Sequence, residues 1–449
     1  MKQYSQMKYS GIEWIGEIPN HWTVTKLKFL TLKGDSIKPG PFGSDLKTSD
    51  FVDRGFKIYN QKDILNSLQD EDLYVSKEKF NKLSSFQVQS GDLLLTSRGS
   101  IGKSMIVPKN NSPGIIHPCL IRVRVNEYKI DRHYVDLIFN ESDMFKENIR
   151  INSNGTVIDV IYGKTLKEIL IPVPELNEQQ HILEFLEKKM KTIDDEISKN
   201  KKLITLLQEQ RQSTINHAVT KGLDDTVPMK ESGIEWIGEI PEHWKVKCLK
   251  YVSKFELSTV DRHEYDEEIP VSICHYPQVY NNHVISENTE LSNGTCNKKE
   301  FDAFRLKKDD VLITKDSETP SEIGVPAYVD YDFKNVVCGY HLAHLTTKKN
   351  ILLGNFLFRY LQSNFVNAYF ETEANGITRF GLGKYSINNL KIPLPSNIEQ
   401  KNITNYLDQK TTKTDELISK VELQIKQLQE FRESLISSAV TGKIQVAEA

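Results

Sequence analysis

The sequence predicts an α/β protein: two pseudo-symmetric α/β bodies joined by two long antiparallel coiled-coil helices. Two repeats and one periodicity carry this expectation. The segment MKYSGIEWIGEIPNHW at Met7–Trp22 returns as MKESGIEWIGEIPEHW at Met229–Trp244, with fourteen of sixteen letters kept at an offset of 222. Ile171–Leu223 returns as Ile392–Ile444 at an offset of 221, and each copy is apolar at heptad spacing. Between these markers the letters diverge, while the order of apolar runs is retained.

Each repeat opens with Ile12, Trp14, Ile15, Ile18 and Trp22 set around Gly11, Gly16 and Pro19, a pattern of tight turns carrying large apolar anchors. It reads as a strap packed on the body that follows. Strands are then expected at FKIYN from Phe56, DLLLTS from Asp92, SMIV from Ser104 and LIRVRV from Leu120. In the last, apolar and basic letters alternate, which predicts one buried face and one that exposes Arg122 and Arg124. A helix capped by Asp131 should run to about Ile149. The second body repeats this order with VLITK from Val311, PAYV from Pro326, HLAHLTT from His341 and a helix carrying Phe356, Leu357, Tyr360, Leu361 and Phe365.

IPVP at Ile171 and IPLP at Ile392 close the bodies and precede the long helices. Asn177 with Gln180, and Ser396 with Glu399, stand where a helix is capped and answered, and Gly222 and Gly442 follow the far ends. A helix of about 43 residues would be roughly 64 Å long, too long for one compact domain. Its expected seam includes Leu186, Ile193, Ile197, Ile204 and Leu207; the twin offers Leu407, Ile418, Val421, Ile425 and Leu428. Asn200 is the kind of polar residue that pins register in such a seam. Arg211 and Arg432 share one heptad position, as flanking salt-bridge residues or as contacts to partners. One helix enters the second body and the other leaves it, so pairing within the chain is antiparallel and would close the chain into a ring. The boundaries expected are 1–170, first body; 171–228, first spacer helix; 229–391, second body; and 392–449, second spacer helix.

With 38% apolar and 27% charged residues among 449, the composition is that of a globular chain. No apolar run is long enough for a membrane span and no signal peptide is visible, so a cytoplasmic location is expected. Five cysteines without a Cys-x-x-Cys pair argue against a disulfide framework. The net charge of −3 conceals a contrast: 1–170 carries 24 Lys+Arg against 20 Asp+Glu, and 229–391 carries 19 against 23. The first body suits phosphate contacts, whereas the second would need a local basic patch.

Catalytic signatures are weak. Gly99-Ser-Ile-Gly102-Lys103-Ser104 resembles part of a phosphate loop but has Ser97 where its first glycine belongs, and Gly381-Leu-Gly383 lacks the third glycine of a dinucleotide fingerprint. No two prolines are adjacent, so the Asn/Asp-Pro-Pro-aromatic motif of amino-methyltransferases is absent. Cys338, His341 and His344 have ligand-like spacing, yet the histidines lie three apart in an expected strand and would point to opposite faces. No catalytic, cofactor-binding or metal-binding residue is therefore assigned.

Two diverged bodies, each opened by SGIEWIGEIP-x-HW and closed by IP-x-P-x3-EQ into a long helix ending AVT, resemble the specificity subunit of type I restriction-modification systems. The resemblance covers essentially the whole chain. It implies a non-enzymatic subunit with two target recognition domains, each reading half of a split sequence in double-stranded DNA. It further implies a helical ruler that sets the gap and binds two methyltransferase (M) subunits, with restriction (R) subunits as further partners. S-adenosylmethionine, and ATP with Mg, would then belong to those partners. The candidates for DNA contact are Asn60, Gln61 and Lys62, then Ser97, Arg98, Ser100 and Lys103, and in the second body Lys315, Arg379 and Lys384; amide, guanidinium, hydroxyl and ammonium groups suit base edges and phosphates. Asp316, Glu318 and Glu322 beside Lys315 count against phosphate contact there. A protein adaptor with two binding bodies, favoured by the acidic second half, and a stand-alone nuclease are the alternatives.

Overall fold

The computed structural model describes residues 2–65, 72–152 and 160–446. Residues fall into two compact units, Met1–Asn200 with Leu423–Ala449 and Lys201–Glu422.

In the first unit, Ile37–Pro39, Leu120–Val123, Leu93–Thr96 and Ser104–Ile106 form an antiparallel sheet in that spatial order. A second sheet sets Gly114–Ile116 parallel to Phe56–Tyr59, followed by Leu73–Val75 and Phe51–Val52. Alternation along the strands divides the core: Leu93, Leu95, Ile121 and Val123 join the helices Arg132–Glu141 and Asp143–Asn152, while Leu94 and Leu120 join Tyr59, Val88 and Ile116. Both faces of the central strands are therefore covered, and this overturns the expected exposure of Arg122. Its side chain is buried, with Nη1 donating to the carbonyls of Ser85 at 3.2 Å and Gln87 at 2.5 Å and Nη2 to that of Asp35 at 3.3 Å. Arg124 is tied to Asp92, Nε to Oδ1 at 2.7 Å. The helix expected from Asp131 is capped as predicted, Asp131 accepting from His133 N at 2.7 Å, but breaks at the buried Ser142 into two.

The second unit repeats the plan with one five-stranded and one three-stranded sheet. Ser253–Leu257, Leu342–Thr347, Val311–Thr314, Pro326–Val329 and Val284–Ile285 form one. Ser292–Cys296, Ile269–Cys274 and Val336–Cys338 form the other, with the last two parallel. Phe356, Leu357, Tyr360 and Leu361 of the helix Gly354–Leu361 are buried against the first of these sheets. His341 precedes its strand, and His344 lies buried within it, 2.8 Å from Asp310. Among the described residues no group of three or more His, Cys, Asp or Glu side chains could hold a metal ion.

The long helices span Leu176–Lys221 and Asn397–Val440, 46 and 44 residues. The first starts one residue earlier than its expected cap, so Asn177 lies inside the first turn; in the second, Ser396 Oγ accepts from Glu399 N at 3.3 Å as expected. Leu186, Ile193, Ile197, Leu407 and Val421 are buried, and Ile204, Leu207, Ile418, Ile425 and Leu428 are half-buried. Within the first unit Ile193 and Ile197 share a core with Ile425, Leu428 and Leu435. Arg211 pairs with Asp415 in the second unit and Arg432 with Asp194 in the first, the antiparallel register expected.

The repeated letters meet in space. In the first unit Trp22 Nε1 donates to Glu178 Oε2 at 2.8 Å, His21 lies 2.9 Å from the same oxygen, and Gly442, past the end of the other helix, sits against Pro19 and Trp22. In the second unit Trp244 Nε1 donates to Glu399 at 2.9 Å, His243 lies 3.1 Å away, and Gly222 abuts Trp244. Strap, helix start and helix end thus form one clasp in each unit. Burying an indole is favourable only if its N–H finds an acceptor, and Glu178 or Glu399 provides it. Gln445 N also donates to Lys2 O at 2.8 Å, fastening the two end segments of the chain in the first unit. No described helix is long and apolar enough to cross a membrane.

Candidate nucleic-acid interface

Parallel strands end on the same side, and in open α/β sheets that edge is where ligands are met. In the first unit Phe56–Tyr59 and Gly114–Ile116 are such a pair. Asn60 and Gln61 follow one and His117 to Cys119 the other, held by His117 N donating to Tyr59 O at 2.8 Å. Leu93–Thr96 brings Ser97 to the same place: its N and its Oγ each donate to Cys119 O at 2.8 Å, and Ile161 N donates to Ser97 O at 2.8 Å. Gln61 Nε2 donates to the Arg98 carbonyl. The Arg98 side chain is exposed. Cys119 Sγ lies 2.9 Å from His117 Nδ1; burial pushes the thiol up, against the pull of the Gln61 N–H and Arg98, and pushes His117 down. Both are neutral near pH 7, so the pair is packing rather than a nucleophile.

Gln61, Ser97 and Arg98 are thus brought together, and the other candidates of this body are placed around them. Asn60 Oδ1 caps Lys62 N at 2.9 Å. Lys62 turns its ammonium to Asp72 at 2.8 Å, an ion pair that holds the Asp72 carboxyl below its ordinary range. Ser100 and Lys103 lie in the hairpin turn between Leu93–Thr96 and Ser104–Ile106, not in a strand-to-helix phosphate loop; Lys103 Nζ donates to Asn140 O at 3.2 Å.

The second unit builds the same crossing from different letters. Gly339 N donates to Cys274 O at 2.9 Å, Lys315 N to His341 O at 3.0 Å, and Leu382 N to Lys315 O at 2.8 Å. His275 and Tyr276 therefore stand where Asn60 and Gln61 do, Lys315 and Asp316 where Ser97 and Arg98 do, and His341 where Cys119 does. Gly339 is required: a Cβ there would lie 2.8 Å from His275 Nδ1.

Asp316 is the hub. Its carboxylate accepts from Lys315 Nζ at 2.8 Å and from Arg379 Nη2 at 2.8 Å, and lies 2.7 Å from His341 Nδ1. Burial opposes its ionisation, but the bonds from Lys315 and His341 outweigh burial and hold the carboxyl below its ordinary range. Lys315 also sits 4.6 Å over the Tyr340 ring. Beside this hub a cleft of about 650 Å³ is lined by Arg262, His275, Tyr276, Asn293, Tyr340 and His341, among others. Lys384 opens the short helix Lys384–Asn389 and is exposed.

The type I restriction modification DNA specificity domain matches this chain twice, over residues 43–206 and 241–427. The chain belongs to that family. A putative type I restriction enzyme MjaX specificity subunit of Methanocaldococcus jannaschii is 25% identical over 99% of this chain and 98% of its own. The EcoBI specificity subunit of Escherichia coli is 21% identical over 93% and 86%. A chain solved in work on complex assembly and conformational transition of the type I R-M system shares the fold with a TM-score of 0.71 at 16% identity, covering 95% of this chain and 99% of that one. The HsdS subunit from Thermoanaerobacter tengcongensis does so at 0.56 and 15%, covering 95% and 98%.

As a type I specificity subunit, the chain recognises DNA sequence within a restriction-modification complex and is not itself the enzyme. Its two matched segments include the two strand crossings. His275, Tyr276, Tyr340 and Asp316 were not among the residues selected from sequence, and His341 entered only as a metal candidate. The signal available was positional: each lies within three residues of the end of an apolar strand run, near where Asn60 and Ser97 stand.

Proposed function

We propose that this specificity subunit reads a bipartite target in double-stranded DNA, the body in 1–170 taking one half-site and that in 229–391 the other. The spacer segments 171–228 and 392–449 hold two methyltransferase subunits and set the gap, and restriction subunits join the same complex. S-adenosylmethionine, and ATP with Mg, act on those partners, in the cytoplasm. One observation carries this reading: the same crossing of three loops at the ends of a parallel strand pair occurs in both bodies, with unlike residues on a repeated frame. Two readers of different sequence on one scaffold need that combination, because the scaffold fixes distance and helical phase along the duplex while the loops supply base contacts. The straps present nearly the same letters twice and the two helices repeat a common pattern, which suits two copies of one partner.

The test is exchange of residues 23–170 for the corresponding part of another specificity subunit, followed by mapping of the methylated motif in genomic DNA. One half-site should change and the other stay. A change in both, or in neither, removes the two-reader assignment. Lengthening both spacer helices by whole turns should widen the gap, and an unchanged gap would refute the ruler.

A further inference from the structure

The acidic loop of the second body looks hostile to DNA, yet its Asp316 is spent on three basic side chains. We propose that Asp316 is a positioning residue that holds Arg379 to read a guanine in the half-site of the second body, at the mouth of the cleft beside His341. This deepens, and rests on, the two-reader assignment above.

Three observations converge. The guanidinium is fixed along one edge: Arg379 Nε and Nη2 reach Asp316 Oδ1 at 3.2 and 2.8 Å, and Nη2 also lies 3.1 Å from His341 Nδ1. Its side chain is nevertheless 56% exposed while that of Asp316 is 14% exposed, and among the described residues Nη1 has no partner. The group is therefore oriented from beneath and still faces solvent. Next, His341 is held at φ +72°, a left-handed conformation uncommon outside glycine, though less so for His than for most residues, and one that clusters at ligand sites; it sets the imidazole against both Asp316 and the cleft. Last, Lys315 is 14% exposed and committed to Asp316 and the Tyr340 ring, so it supports the hub and leaves Arg379 as the donor that faces outward.

The chemistry selects the base. A guanidinium has donors and no acceptor. The major-groove edge of guanine offers two acceptors, O6 and N7, whereas adenine offers an acceptor beside a donor that would oppose it. A carboxylate behind the arginine removes rotamers before binding, so orientation, and with it discrimination, is built in. Arg98 of the first body, at the position equivalent to Asp316, is exposed, and among the described residues no carboxylate pairs with it.

The experiment uses the full chain in complex with its methyltransferase subunits. Fluorescence anisotropy measures binding to duplexes that carry the mapped motif and every single-pair substitution of it, at several salt concentrations, for wild type, Arg379→Gln, Arg379→Lys and Asp316→Asn. Arg379→Gln and Arg379→Lys should each lose about 5- to 150-fold of preference for one G·C pair, and Asp316→Asn should relax that same pair. Every other pair and the first half-site should be unchanged, as should the melting temperature of the two Arg379 variants; that of Asp316→Asn should fall, because Lys315 and His341 lose their carboxylate. Loss spread evenly over all sequences, with a shallower salt dependence, would make Arg379 a phosphate contact and overturn the guanine assignment. So would unchanged preference in Arg379→Gln, which replaces a side chain that is more than half exposed. Exchange of the whole second body separates the two claims. If it alters one half-site while Arg379→Gln alters none, only the arginine assignment falls; if it alters neither, the two-reader assignment falls.

Discussion

Arg211 Nε lies 3.0 Å from Asp415 Oδ1, and at the equivalent place in the other unit Arg432 Nε lies 3.2 Å from Asp194 Oδ1. The two residue numbers in each pair add to the same total, as an antiparallel register without slip requires. These pairs therefore mark register on the long helices, where the seam alone would tolerate a shift by a heptad. Asp415 is half exposed, so Asp415→Ala should lower stability by only about 0.2–1 kcal/mol. Arg432→Ala should lower it more, because Arg432 also reaches Glu141 at 2.7 Å. Urea denaturation in a double-mutant cycle checks the pairing; zero coupling between Arg211 and Asp415 would remove its role.

Arg122→Leu separates a structural arginine from a reading one. It removes the donor to the carbonyls of Ser85 and Asp35 and one of two donors to that of Gln87, and should cost about 1–3 kcal/mol. The motif methylated by the surviving folded complex should be unchanged.

The clasps predict unequal glycine substitutions. At Gly442, φ +70°, a Cβ would lie 2.3 Å from Pro19 Cδ and 3.1 Å from Trp22 Cζ3; at Gly222, φ +80°, the nearest atom is Trp244 Cζ2 at 3.3 Å. Both alanine variants bear about 1–2 kcal/mol of backbone strain, and Gly442→Ala adds a steric term. Thermal unfolding should rank Gly442→Ala below Gly222→Ala, and the reverse order would contradict this packing.

Trp22→Phe and Trp244→Phe keep the apolar contact and remove the donor to Glu178 or Glu399. Each should cost about 1–3 kcal/mol, by similar amounts in the two units. Chemical denaturation of each variant measures the loss.

Glu168 accepts from both Lys26 and Lys28 at 2.7 Å, and these bonds lower its pKa from 4.5 to about 2. The folded value is depressed, so the contribution is full above 4.5 and is lost as pH falls through 2. The difference in melting temperature between wild type and Glu168→Gln should therefore shrink between pH 5 and pH 2. A constant difference would show that the carboxylate charge plays no part.

Much of the frame was legible because repetition and periodicity are local. The straps, the two long helices and seven of the sixteen strands in the four larger sheets needed only the letters; of the two parallel pairs at the loop crossings, only Phe56–Tyr59 was expected. Arg122 was misread since alternation reveals that two faces differ, not that a second sheet covers the far one. Ser142 is buried and breaks a helix whose apolar spacing continues through it, so no letter announced the break. The reading cluster was least legible: Arg379 returns beside Asp316 from 63 residues away, and counting charges along the loop had set that acid against binding.

The clasp has one more consequence, at the level of the gene. Its strap residues come almost wholly from the segment repeated at Met7–Trp22 and Met229–Trp244. A crossover anywhere within those copies joins a strap to a different downstream body, yet leaves the His and Trp that face Glu178 or Glu399 as they were. Exchange at that point would replace a whole reader while its seat stays intact, because the place where the amino-acid sequence is most alike is also the place where either copy makes the same contacts.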